Sequence, residues 1–321
     1  MVATRMRWLI ATFAALSAGV AAGEAPAADK MKLAVGQCGN WDSSPVELGV
    51  RIGAYAKYGI DVEALCTQGT GETQQAVIAG STDIGIGVGT LGALGAFAKG
   101  APIRIVSGSA TGNADFWIVK GDSPLKAIPD AAATNTVAYS TNGASTHSAV
   151  LGFIRELGLK ARPIATGGPA ATITLLMSGQ VDIGWSSPPL GFDLLDAGKI
   201  RIFARANDVP SLRGQTVRVN IANAESLKAR RDAHVRFMRG FRETIDWMYS
   251  DPKALEAYAD YRKTSIANAK RLRDEFFAKS ALDPDTIKGM DQLMVEAVNF
   301  KYLAVPLTSA EHAELVQVPL R

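Results

Sequence analysis

Histidine is scarce in this chain: His147, His234 and His312 are the only three, and they are widely separated. There is no HExxH run, no paired-cysteine metal spacing and no GxSxG elbow, so the patterns that announce a zinc or serine hydrolase are missing. Neither a catalytic residue nor a cofactor is expected. An excess of one charge is missing too. Lys and Arg number 34 against 31 Asp and Glu, a formal net charge of +3, and the basic residues are dispersed. A nucleic-acid binder gathers its cations into a phosphate-neutralising stripe, so nucleic acid is not an expected partner. Beyond residue 20 no apolar run approaches the roughly 20 residues that cross a bilayer.

The one apolar run, Trp8 to Val20, follows Arg5 and Arg7 and leads into small residues through Ala28. That is the layout of a cleavable secretory signal over residues 1–28, with cleavage after Ala22, Ala27 or Ala28. A short buried helix is the alternative, but the basic flank and Ala-rich exit favour export. No Cys follows the run, so a lipid anchor is not expected. The expected location is periplasmic, and the expected form a soluble monomer.

Only two cysteines occur, Cys38 and Cys66. Each lies just past an expected strand, Met31 to Gly36 and Ile60 to Leu65. If those strands are parallel neighbours, both sulfurs reach the same sheet edge, and an oxidising compartment lets them pair. A Cys38–Cys66 disulfide is therefore predicted; a Cα separation beyond about 7 Å would exclude it and leave two buried thiols.

With 47% apolar and 20% charged residues, the chain is globular in composition and long enough for one or two cores. Short apolar runs alternate with helical patterns, the mark of an α/β architecture. After the first strand, Ser44, Pro45 and Glu47 read as a helix cap, first helical residue and capping box, and Gly59 stops that segment. The strand from Ile60 is followed by a turn at Gly69–Gly71, a helix ended by Gly80, and a strand from Asp83 to Val88. An internal echo then appears: AGSTDIG at 79–85 and SGQVDIG at 178–184, 99 residues apart. Two copies suggest two similarly wound lobes. Lobe one is expected over 29–114 and 215–321, lobe two over 115–214. Second-lobe strands are expected at 115–120, 136–139, 163–165, 182–185 and 201–204, and the strand 215–221 returns to lobe one. From Ala224 the pattern becomes helical, first as one long amphipathic segment to Ser250, with a capping box at Thr308 and Glu311 near the end. The charges of this tail read as solvated helix faces.

In a doubly wound sheet, ligands bind beyond the carboxyl ends of strands, near helix amino termini whose free N–H groups favour anions. That rule selects the loop 37–44 with Gln37 and Trp41, the turn 69–71, and Gly89 with Thr90. On the other lobe it selects 140–147, with Asn142, Ser145 and Thr146, and the loop with Trp185 and Ser186. The turn TNGASTH at 141–147 can cradle a carboxylate or sulfonate, and Ser145 or Thr146 can equally cap the helix. Trp41 and Trp185 can pack in the core or against the apolar part of a ligand, and their paired placement on two lobes favours the ligand. Gly87, Gly89 and Gly92 match GxGxxG, but they follow the third strand, so a dinucleotide site is not expected. The same glycines suit close backbone approach to a smaller anion. Arg205 and Arg218 flank the return to lobe one, where a guanidinium can reach the cleft, although surface placement is the default.

VGQCGNW, GSTDIGIG, DFWIVKGDSPLK, STNGASTH, ATGGPAATITLLMSGQVDIGW and FMRGFRETIDWM together resemble the periplasmic solute-binding proteins of the nitrate, sulfonate, taurine and bicarbonate type. These share a domain with thiamine-pyrimidine synthesis proteins, and the resemblance covers residues 31–249. It implies a type II periplasmic-binding fold: two α/β lobes joined by two crossing segments and closing on the ligand by hinge motion. It also implies a small organic anion, sulfonate or carboxylate, as ligand, delivery to an ABC permease and no chemical step; the alternatives are a pyrimidine-metabolism enzyme on the same fold and a sensor subunit that presents its ligand. Carried onto this chain, the family's cleft loops again mark Gln37, Trp41, Gly89, Thr90, Asn142, Ser145, Thr146, Trp185 and Ser186, with Asn113 added at the first crossover. The Cys-rich motif of the pyrimidine-synthesis enzymes is absent.

Overall fold

The computed structural model describes residues 27–321. The expected signal segment, apart from its last two residues, lies outside the described residues. Ten strands follow in order: β1 (Asp29–Gly36), β2 (Ile60–Thr67), β3 (Ile84–Gly89), β4 (Ile103–Thr111), β5 (Phe116–Lys120), β6 (Thr136–Tyr139), β7 (Arg162–Ala165), β8 (Gly184–Ser186), β9 (Ile200–Arg205) and β10 (Thr216–Asn223). The helices among the strands are α1 (Pro45–Arg51), α2 (Thr70–Ile78), α3 (Thr90–Ala98), α4 (Ser145–Leu157), α5 (Pro169–Met177) and α6 (Phe192–Asp196). A helical tail follows: α7 (Ala224–Ala229), α8 (Arg231–Ser250), α9 (Lys253–Arg262), α10 (Ile266–Phe276), α11 (Met290–Asn299) and α12 (Ser309–Leu315).

The strands form an open five-stranded sheet, β2-β1-β3-β10-β4, and, in the middle of the chain, a three-stranded sheet β8-β5-β9 beside the pair β6-β7. In the larger sheet β1 runs parallel to β2 and β3, and β10 is antiparallel to both β3 and β4. The chain thus leaves the first lobe after β4 and re-enters it at β10. This is the two-lobed periplasmic-binding architecture, and among the described residues no helix is long and apolar enough to cross a membrane.

Burial explains which runs became strands. Every residue of β10 is buried because it lies between β3 and β4, with helices over the sheet. The strand β4 had no counterpart in the sequence reading, because Ser107, Gly108 and Ser109 interrupt its apolar pattern. Its polar residues are accommodated inside: Asn220 of β10 donates to the Ser107 hydroxyl (2.8 Å) and accepts from the N–H of Gly87 (3.0 Å). The ladder shifts register beside Asn220, and Gly87 there takes φ +76°, a conformation glycine adopts without strain.

Local signals had mixed outcomes. The box at Thr308 and Glu311 forms. The one at Ser44 does not: Ser44 has helical angles, its hydroxyl donates to the Asn40 carbonyl (2.6 Å), and Glu47 pairs with Arg51. Pro45 does begin α1, but the helix ends at Arg51, and a separate 3₁₀ turn runs to Gly59 at φ +67°. The long tail segment breaks at Arg230, whose guanidinium turns back to Asp83 and to the Lys30 carbonyl (2.7 Å). The tail is also more than a solvated outer layer. Phe276 of α10 packs on Phe116 and Phe192 of the second lobe, and Arg271 lies over Phe192 while pairing with Asp196.

Candidate ligand-binding cleft

Glycine sets how closely the two lobes meet. A Cβ on Gly89 would lie 2.2 Å from the carbonyl oxygen of Gly143 and 2.9 Å from the Cα of Ala144. Gly92 donates its N–H to that same Gly143 oxygen (3.2 Å), and Gly143 itself has φ +87°. The glycines of the GxGxxG match thus serve a bulge (Gly87) and a backbone-to-backbone contact with the other lobe (Gly89, Gly92). Nearby, a Cβ on Gly71 would touch Thr141, and one on Gly168 would lie 3.0 Å from the Gln68 carbonyl. Asn40 donates to the Ser187 hydroxyl (2.9 Å) across the same seam. The lobes are closed on one another.

Four helices point their amino termini at this seam. Their N-cap residues are Gly69 for α2, Gly89 for α3, Ala144 for α4 and Gly168 for α5, none of which has a side-chain acceptor. Among the described residues the α-helices capped by an N-cap side chain are α7, α10 and α12 of the tail, by Asn223, Ser265 and Thr308. First-turn N–H groups at the seam therefore lack the usual side-chain partner, and the four helix dipoles present their positive ends there.

At the floor of the seam lies a buried charge cluster. Arg218 of β10 donates from Nη1 to Asp42 (2.8 Å), from Nη2 to Asp115 (2.5 Å) and from Nε to the Ser145 hydroxyl (2.9 Å). Asp115 also accepts from the Ser187 hydroxyl. Burial pulls the Arg218 pKa down, but the carboxylates of Asp115 and Asp42 outweigh it and hold the guanidinium firmly charged. Burial raises the Asp42 pKa, against the pull of Arg218. This cluster joins both lobes, since Asp42 and Arg218 come from the first and Asp115, Ser145 and Ser187 from the second.

The expected site residues divide by placement. Gln37, at φ +58°, accepts from Asn40 (2.8 Å) and lines a 230 Å³ cavity at the seam's mouth with Asn40, Gln68, Ser187 and Arg262. The Cys38–Cys66 disulfide forms, with Cα atoms 5.6 Å apart, and lines the same cavity. Its geometry follows from the parallel pairing of β1 and β2. Ser145 and Thr146 do not cap α4: Ser145 accepts from Arg218, and Thr146 accepts from the N–H of Ser140 (3.0 Å). Asn113 at the first crossover accepts from the N–H of Asp115, and Asn142 accepts from the Tyr139 hydroxyl. Thr90 ties α3 to the Thr216 carbonyl (2.6 Å), and Ser186 closes its own turn on the Leu190 carbonyl (2.7 Å). Trp41 and Trp185 are fully buried: Trp41 packs against Tyr249 and Tyr258, and Trp185 sits in the second-lobe core with Trp117. Neither ring offers an exposed face in this closed arrangement. Arg205 is exposed and stacks over Phe276.

Sequence reading missed Asp42, Asp115, Ser187 and Tyr302. Asp42 stands inside the selected loop 37–44 and could have been noted as its one carboxylate. Ser187 likewise stands inside the selected loop 185–188, whereas nothing local marks Asp115 or Tyr302. The Tyr302 hydroxyl accepts from the N–H of Gly143 (2.7 Å) and meets Nδ1 of His147, whose ring stacks on Tyr139. Burial lowers the His147 pKa to about 4. His234 is buried beside Ser226 (3.0 Å). Among the described residues no group of His, Cys, Asp and Glu could hold a metal ion.

A family model described as NMT1/THI5 like matches residues 41–255. No curated protein matches. Solved structures share the fold at low identity. The alkanesulfonate-binding protein SsuA from Xanthomonas axonopodis pv. citri, bound to MOPS, superposes with TM-score 0.70 at 17% identity, over 92% of this chain and 98% of that one. The Candida albicans CA3427 gene product, described as having the generic periplasmic binding protein fold, gives 0.71 at 13%, over 91% and 97%. The periplasmic nitrate-binding protein NrtA from Synechocystis PCC 6803 gives 0.68 at 16%, over 90% and 85%.

Proposed function

Because this chain belongs to the NMT1/THI5-like family, we propose that it is the extracytoplasmic solute-binding subunit of an ABC importer, capturing a small organic acid between its lobes. The observation that carries this reading is the meeting of four helix amino termini, with Gly or Ala at each N-cap, on one interlobe seam. A carboxylate or sulfonate accepts several N–H bonds at once and is favoured by the aligned dipoles. Structural relatives named for binding alkanesulfonate and nitrate support the same class of cargo.

The lobes open and close about the crossings between β4 and β5 and between β9 and β10, and a membrane permease receives the closed form. Capture requires no bond-making group. His147 is half-buried against Tyr302 and His234 fully buried beside Ser226, which fits binding without turnover. The test is a thermal-shift and calorimetric screen of the chain against sulfonates, carboxylates, nitrate and bicarbonate. One acid class should raise the melting temperature saturably, since a ligand at 100 times its Kd adds about 2.7 kcal/mol to the folded state. Product accumulating over many turnovers with any of them would make the protein an enzyme and overturn the reading.

A further inference from the structure

The helical tail packs with the first lobe, yet it also grips the second. Leu293 and Ala297 of α11 and Leu303 just after it are buried in one core with residues of β3, α3, β4 and β10. The same segment meets α4 of the second lobe at two places. Near the start of α4, the Tyr302 hydroxyl accepts from the N–H of Gly143 (2.7 Å) and meets Nδ1 of His147. Eight residues after His147, about 12 Å along the helix, Arg155 donates from Nη2 to Oε1 of Glu296 (3.1 Å) and lies over the Phe300 ring (5.1 Å). Glu296 is 1% exposed, and the same oxygen accepts from Gln292 of its own helix (3.2 Å) and from Gln215 at the end of the second crossing (3.1 Å). The line of contact thus runs from the crossing, at Glu296, out to the seam at Gly143, whose carbonyl also accepts from Gly92 (3.2 Å).

We propose that this line is a clasp that holds the two lobes together without solute, so that the chain rests closed and opens only transiently to load. Its members are all supplied by the chain: an ion pair with a buried carboxylate, a hydroxyl with two partners, and a guanidinium on an aromatic face. None of them needs a solute to form. Withdrawing α4 takes both partners from Tyr302 and leaves the Glu296 carboxylate to the amides of Gln215 and Gln292, without its cation. Opening therefore has to work against contacts that belong to the closed state alone. Solute enters only the open minority, so loading is slowed by the fraction of chains that are open. The clasp rests on the hinged, two-lobe part of the proposed function and on no property of the cargo.

X-ray scattering of the solute-free chain, unfolded and refolded to remove anything co-purified, tests this without the cargo being known. The native chain should give the radius of gyration calculated from the closed structure. Tyr302→Phe, which deletes one hydroxyl, combined with Arg155→Gln, which takes the cation from Glu296, should raise that radius. Far-UV circular dichroism should stay unchanged and the melting temperature fall by no more than about 4 °C. Contacts that merely pack would lower stability without opening the lobes. A solute-free native chain already larger than the closed structure overturns the proposal, and so does a double variant that keeps the native radius. A larger radius gained together with loss of helical dichroism is unfolding, and it overturns the clasp as well. If the double variant fails to fold, Tyr302→Phe decides alone by the same criterion. A solute screen in which no acid binds sinks the cargo reading and leaves the scattering result standing, so the two failures are told apart.

Discussion

Gly89 shows how much a single residue can decide. Its missing Cβ admits the Gly143 carbonyl at a distance no side chain tolerates, and both partners in that contact are backbone, which cannot step aside cheaply. Gly89→Ala should therefore leave each lobe folded but hold the pair apart. The expected result is a solute affinity at least tenfold weaker, with a melting temperature without ligand within about 2 °C of the native chain and a larger radius of gyration in X-ray scattering when ligand is present. Unchanged affinity would mean that the closed contact is not needed for capture. At this scale the sequence was a partial guide. It selected Gly89, Ser145 and Gln37, which the structure places at the seam, since strand ends and helix starts can be read locally. It could not tell that Trp41 and Trp185 point into cores, because an aromatic residue after a strand is equally suited to either side of a loop. Nor could it pair Asp42 with Asp115 and Arg218, which stand 73 and 176 positions away in the chain.

Among elements, β1 and β2 illustrate a relation that was legible. β1 ends at Gly36, two residues before Cys38, β2 starts after Gly59 and carries Cys66 as its second-last residue, and the parallel register that brings Val35 opposite Cys66 also brings Cys38 within bonding reach. The bond closes a loop with a sequence separation of 28. Replacing both cysteines by serine should cost about 3–4 kcal/mol from the entropy of the unfolded chain, read as a lower midpoint in urea with a slightly larger slope. Because the bond lies at the mouth of the seam, ligand affinity should fall less than stability does. Elements that depend on distant partners were less legible. β4 is a strand because β10 covers it and Asn220 satisfies its Ser107, whereas its own sequence interrupts the apolar pattern. The break between α7 and α8 reflects Arg230 reaching a different strand's Asp83, and Ser44 fails to cap α1 because the Asn40 carbonyl takes its hydroxyl.

On the scale of the whole molecule, the tail and the second lobe are joined by Tyr302, whose hydroxyl accepts from Gly143 and can donate its own proton to Nδ1 of a neutral His147. Protonation turns Nδ1 into a donor, so the hydroxyl must then accept from both Gly143 and His147 and send its own proton elsewhere. His147 and His234 are both lowered to about 4 by burial, with Arg230 and Arg231 acting further on His234 against the opposing pull of Asp83. Between pH 6.5 and 4 the unfolded chain thus binds more protons than the folded one. Stability contributed by the neutral rings is complete above about pH 6.5 and declines as pH falls toward 4. The melting temperature should drop on the order of 5 °C across that window, and His147→Gln should shallow the decline without removing it, because His234 remains. A flat profile would show that the rings titrate alike in both states.

What the sequence by itself determined is the α/β winding, the two echoing lobes, most strands and the disulfide. These rest on periodicities and turn residues that act within one or two elements. What only the tertiary structure decided is the seam: which glycines touch, that four uncapped helix ends converge, and that one guanidinium is shared by two carboxylates. Those relations depend on closure of residues far apart in the chain, and no local free energy encodes which distant backbone will arrive opposite a given glycine.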